Sequence, residues 1–85
     1  RRKRIGRNVE QVVGSVLGRP VEHAKMGTQM LRDLGLGSLR MIQLLADIEE
    51  RFSIKVRDEQ VTGENFGTLD RLIRFVEAQV GEMKP

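Results

Sequence analysis

The chain has 85 residues, enough for one domain with a small core. It contains no Cys, Trp or Tyr and a single His, His23, which excludes disulfides, thiolate metal ligands, a cysteine nucleophile and a zinc site built on histidine. The formal net charge is +3, but five of the cations are Arg1, Arg2, Lys3, Arg4 and Arg7. The rest of the chain carries ten basic and twelve acidic residues, which argues against a nucleic-acid-binding surface over the whole domain.

Residues 1–7 read as a basic, flexible, solvated segment ahead of a domain spanning residues 8–81. No apolar run follows them as in a signal peptide, and none approaches the ~20 residues that span a membrane, so a cytoplasmic location with no membrane partner is expected. Val9, Val12, Val13, Val16 and Leu17 recur at intervals of three and four and predict a helix that stops at Gly18-Arg19-Pro20; Ile5 prolongs the stripe backwards. Four Val and Gly14 are weak helix formers, so packing must hold this helix. Residues 18–37 form a long connection, expected to contain a helical turn and to be pinned to the bundle by Met30, Leu31, Leu34 and Leu36.

Residues 38–52 give the clearest helix, with Ser38 as its N-cap behind Gly35 and Gly37. Leu39, Ile42, Leu45, Ile48 and Phe52 are expected to form its buried face, widened by Met41 and Leu44; Asp47 and Arg51 form an i, i+4 pair. Ile54 and Val56 are expected to be buried by an extended link. A short helix or turn lies between Asp58 and Phe66, and Thr68 caps a last helix that presents Leu69, Leu72, Ile73, Val76 and Val80 and ends at Gly81. The fold class is therefore all-α: a small bundle, up-down or right-angled, of three main helices plus one short one.

Enzymatic signatures are absent. A Ser-His-Asp triad would have to run through His23, which is read as solvent-facing, and there is no HExxH, P-loop or GxGxxG. Glu49 and Glu50 are adjacent on a helix, so their side chains diverge by about 100° and do not pair. The expectation is a non-catalytic protein. Ser38 stands apart by context: the start of a helix, behind flexible glycines, exposes a hydroxyl and sets any attached phosphate beside free backbone N–H groups and the positive helix end. Most capping serines do nothing further, so geometry alone does not assign it a role.

Asp33-Leu34-Gly35-Leu36-Gly37-Ser38-Leu39 resembles the attachment motif of acyl and peptidyl carrier proteins, a D-L-G-x-D-S-L pattern. Residues 42–52, ending Glu49-Glu50-Arg51-Phe52, resemble that family's second helix; Ile54-Lys55-Val56-Arg57-Asp58-Glu59 resembles its I-x-I-x-D-E link; and Glu64-Asn65-Phe66-Gly67-Thr68-Leu69 resembles the segment that opens its last helix. The matches run in order, and with the first helix the similarity covers residues 8–80. The resemblance implies a carrier with 4'-phosphopantetheine on Ser38, donated by coenzyme A through a phosphopantetheinyl transferase, and a thioester cargo on the arm's thiol. Its partners would be acyl- or aminoacyl-loading, condensing and tailoring enzymes, the carrier itself being monomeric and binding neither metal nor nucleic acid.

Two departures bear on which carrier this is. Gly37 stands where the acyl carrier pattern has Asp, and Arg40 where fatty-acid carriers are acidic. The latter reduces complementarity to basic partner patches and points to a specialised pathway, for a polyketide, a nonribosomal peptide or a modified amino acid. Partners are expected on a face containing Leu36, Leu39, Arg40, Met41 and Gln43, with Phe66 nearby. Leu39 and Met41 are claimed equally by the core. Two other readings stand beside the carrier: a helical interaction module using Met30 and Met41, and a small DNA-binding domain, for which neither long C-terminal helix is basic enough.

Overall fold

The computed structural model describes residues 2–82, without the side chains of residues 2, 3, 23, 24 and 82; the solvent-facing assignment of His23 therefore lies outside the described residues. Three long helices make the bundle: α1 (Arg2–Leu17), α3 (Ser38–Phe52) and α5 (Leu69–Glu82). Between them lie two single turns, α2 (His23–Met26) and α4 (Gly63–Phe66), and two 3-10 turns, Leu31–Leu34 and Asp58–Gln60. Helix α1 packs against both α3 and α5, and α4 lies on α5.

Val9, Val12, Val13 and Val16 are buried, as their spacing requires. Helix α1 begins well before residue 8, however. Residues 2–7, expected as a flexible segment, are helical; Ile5 packs against the core, and Gly6 is buried. Ile5 continues the apolar stripe into the basic residues, and its packing against the core supplies the tertiary support that extends the helix backwards.

Helix α3 is rotated from the expected face. Leu44 and Ile48 are fully buried, with Met41, Leu45 and Phe52 partly buried against the core, while Leu39 is 84% and Ile42 64% exposed. The reason is geometric. Each step of three residues falls about 60° short of a full circle, so from Leu39 to Ile48 an i, i+3, i+6, i+9 row drifts by half a turn. The set 41, 44, 45, 48, 52 alternates threes and fours and stays on one side. Arg51 does not serve the expected pair with Asp47; it donates to Asn8 Oδ1 (2.9 Å) and Gln11 Oε1 (3.2 Å), tying the end of α3 to α1.

The remaining elements close the core. Leu31, Leu34 and Leu36 are buried under the long connection, as is Val21, whereas Met30 stays 42% exposed. Leu31 N–H donates to the Gly67 carbonyl (2.8 Å) and Asp70 N–H to that of Gly27 (3.0 Å), so the connection is stitched to the start of α5. Thr68 caps α5 as expected, its Oγ1 accepting from Arg71 N–H (3.2 Å). The helix runs one residue past Gly81. Leu69, Leu72, Ile73 and Val76 are buried, joined by Phe75. Ile54 is buried and Val56 partly so, with Val56 N–H bonded to Glu49 Oε2 (2.8 Å).

Candidate functional site

The site is a short stretch of backbone held between two helices. Helix α1 ends at Leu17, and Gly18 (φ 78°) turns the chain back so that the N–H groups of Gly18 and Arg19 both reach the Gly14 carbonyl, at 2.8 and 3.1 Å. The Arg19 guanidinium then donates to the Leu34 carbonyl at 2.7 Å. Leu34 ends the 3-10 turn, which Gly35 closes in the left-handed region at φ 113°, bonding back to Leu31 and Arg32. Leu36 plugs the core at 2% exposure, and Gly37 leads into Ser38, the first residue of α3.

Ser38 is thus not the N-cap. That position belongs to Gly37, which has no side chain to offer the helix, and the first intrahelical bond runs from Met41 N–H to the Gly37 carbonyl (2.8 Å). The Ser38 side chain is exposed and, among the described residues, its hydroxyl has no hydrogen-bond partner. A Cβ built on Gly37 would meet nothing within 4 Å, so the approach to the hydroxyl is open. The first-turn N–H groups of α3 lack intrahelical acceptors and carry the positive end of the helix dipole. An uncommitted nucleophilic oxygen, an open approach and unpaired N–H donors fit a phosphodiester at Ser38 Oγ. That group would bring a terminal thiol, which this Cys-free chain lacks.

The face expected to meet partners divides. Leu39, Arg40 and Gln43 are exposed and Met41 is partly buried. Leu36 and Phe66 are buried and drop out: Leu36 fills the base of the loop, and Phe66 packs on Phe75 with ring centroids 5.1 Å apart. Ile42, expected in the core, belongs to the exposed face instead, one turn beyond Leu39. Arg40 leans back over the loop, its guanidinium in a long 3.5 Å contact with the Gly35 carbonyl. Arg19 carried no sign in the sequence; its contact spans fifteen residues and depends on the turn set by Gly14 and Gly18. No group of three or more potential metal ligands occurs among the described residues, and none of their helices is long and apolar enough to cross a membrane.

Comparison with known proteins agrees with this geometry. The family model described as phosphopantetheine attachment site matches residues 7–76. The acyl carrier protein of Saccharopolyspora erythraea is 31% identical over 95% of this chain and 92% of its own length; that of Exiguobacterium sibiricum is 29% identical over 86% and 90%. Among solved structures, the fold is similar to a chain in the Bradyrhizobium japonicum glycine:[carrier protein] ligase complexed with cognate carrier protein and an analogue of glycyl adenylate (TM-score 0.76, 26% identity, 88% of this chain and 97% of that one). The same ligase complexed with glycylated carrier protein gives a TM-score of 0.72 at 25% identity, over 84% and 96%. Coverage that complete from so short a chain identifies the matched partner as the carrier. The motif around Ser38, the helical order and these relatives agree: the chain belongs to the phosphopantetheine-attachment family of carrier proteins, which hold acyl or aminoacyl groups on a 4'-phosphopantetheine arm.

Proposed function

We propose that Ser38 is the attachment residue and that the chain is a non-catalytic, monomeric, cytoplasmic carrier for aminoacyl cargo in a specialised pathway. The observation that carries the attachment is the Ser38 hydroxyl, exposed and, among the described residues, without a hydrogen-bond partner, at the first position of α3 within Asp33-Leu34-Gly35-Leu36-Gly37-Ser38-Leu39. In the attachment step Ser38 Oγ forms a bond to the β-phosphorus of coenzyme A, the phosphoanhydride bond breaks, adenosine 3',5'-bisphosphate leaves, and the hydroxyl proton passes to the transferase. The free N–H groups of the first turn are placed to stabilise the resulting phosphodiester charge.

Aminoacyl cargo is supported by the likeness to the glycine ligase's carrier and by Arg40, which replaces acidic character where basic partner patches would dock. Transferases and loading enzymes must approach the Ser38 end of α3. Leu39 and Ile42 offer them exposed apolar area there, with Arg40 and Gln43 at the rim. Incubation with coenzyme A and a broad-specificity transferase should add one phosphopantetheine mass to the chain and none to Ser38→Ala; a mass gain in that variant would move the site elsewhere. Loading the product with an amino-acid-activating ligase against an acyl-loading enzyme then distinguishes the cargo classes, and acyl transfer alone would return the chain to the role of the curated acyl carriers.

A further inference from the structure

Arg19 lies outside the attachment motif, on the far side of a long connection, yet it makes a short contact with it. The contact is to the carbonyl of Leu34, a buried residue that ends the 3-10 turn four positions before Ser38. The local backbone is built to deliver it. A Cβ on Gly14 would stand 2.9 Å from the Arg19 carbonyl, and Gly18 takes a positive φ with nothing near it, so two glycines let the end of α1 fold back closely enough for Arg19 to reach. The other backbone bonds of the stretch it holds are local, Gly35 N–H to the Arg32 carbonyl and Leu36 N–H to the Leu31 carbonyl, both 3.1 Å, and none of them ties it to α1. Gly35 and Gly37 have no side chains, Gly37 provides no cap, and the Gly35 carbonyl receives only the Gly37 N–H at 3.2 Å and the long Arg40 contact. Leu36 fixes the middle of the stretch by burial, but burial and local turns leave the Arg19 bond as its hydrogen-bonded tie to the end of α1 among the described residues.

We propose that Arg19 is a positioning residue for Ser38: its charge-assisted bond to the Leu34 carbonyl ties the attachment loop to α1 and fixes where the hydroxyl is presented at the start of α3. This rests on the carrier reading of Ser38. Arg19 does not touch the reacting oxygen; it acts through Leu34 and Gly35. Without it, the Leu34 carbonyl loses its partner and the hydroxyl samples more orientations, fewer of them productive.

The test compares Arg19→Met, which keeps an apolar stem, and Arg19→Lys, which keeps a donor, with the parent. In the apo chain, backbone amide exchange at residues 35–37, whose N–H groups are bonded within the loop, should rise about tenfold in Arg19→Met while amides of residues 72–76 in α5 keep the parental rate, and Arg19→Lys should recover part of the protection. Attachment from coenzyme A should fall by a similar factor in kcat/KM, with the same partial rescue. Unchanged exchange at residues 35–37 would show that Arg19 does not anchor the loop. An equal rise in α5 would reduce its role to general stability. Attachment at the parental rate despite a loosened loop would overturn positioning. A parent chain that gains no mass would instead overturn the carrier reading, and this role with it, while exchange still judges the anchor.

Discussion

Phe66 of α4 and Phe75 of α5 meet with ring centroids 5.1 Å apart and planes inclined at 51°, both rings buried. The pair fastens a four-residue helix that could not stand alone. Phe66→Ala should therefore destabilise by about 3–5 kcal/mol, read as a large fall in melting temperature. An unchanged melting temperature would mean that α4 does not depend on this contact.

The rotation of α3 separates two leucines by burial. Leu44→Ala, at a fully buried position, should cost about 2–5 kcal/mol, whereas Leu39→Ala should change stability by less than about 0.5 kcal/mol. Cargo transfer should respond in the opposite sense, with Leu39→Ala slowed and no loss of fold. Phe52, only partly buried, should cost less on truncation than its place in an all-buried face would demand. Chemical denaturation of the three variants checks the ranking.

Gly37 and Gly35 should behave oppositely. Gly37 has φ −78° and ψ −171°, open to any residue, and a Cβ there meets nothing. Gly37→Asp should cap α3, place negative charge at its N-terminus and reduce the freedom of the unfolded chain, raising stability by roughly 0.5–1 kcal/mol. Gly35→Ala forces a Cβ into a positive-φ position 3.3 Å from Leu17 Cδ2 and should destabilise by about 1 kcal/mol or more. Melting curves of the two variants should move in opposite directions.

Arg40→Glu should leave the fold intact, slow transfer with the cognate loading enzyme and change its salt dependence, because an exposed charge at the rim acts on encounter. The same substitution should improve recognition by enzymes with basic docking patches. Identical kinetics with every partner, at both low and high salt, would place the docking surface elsewhere.

The helical class was legible because α1 and α5 repeat Val and Leu at the helical period, and the carrier family because its motifs are contiguous and run in order. The buried face of α3 was misread for the opposite reason. Leu39, Met41, Ile42, Leu44, Leu45 and Ile48 spread over more than half of the helix circumference, so the pattern allows more than one phase and only packing against α1 selects among them. The cap at Gly37 was hidden by a better capping residue one position later. Arg19 was invisible because nothing local links it to Leu34; the bond exists only after two glycines fold the end of α1 back.

The antiparallel arrangement of α1 and α3 has a practical consequence. Leu17 and Arg19 lie at the Ser38 loop, while Asn8 and Gln11 face the far end of α3 at Arg51. Exposed Arg4 is thus removed from the Ser38 loop by most of the length of α1, roughly 20 Å at the helical rise. Since the chain has no cysteine, Arg4→Cys would be its sole thiol before any phosphopantetheine is added, and a dye or sensor surface coupled there would leave the Ser38 end, the proposed attachment point, unobstructed.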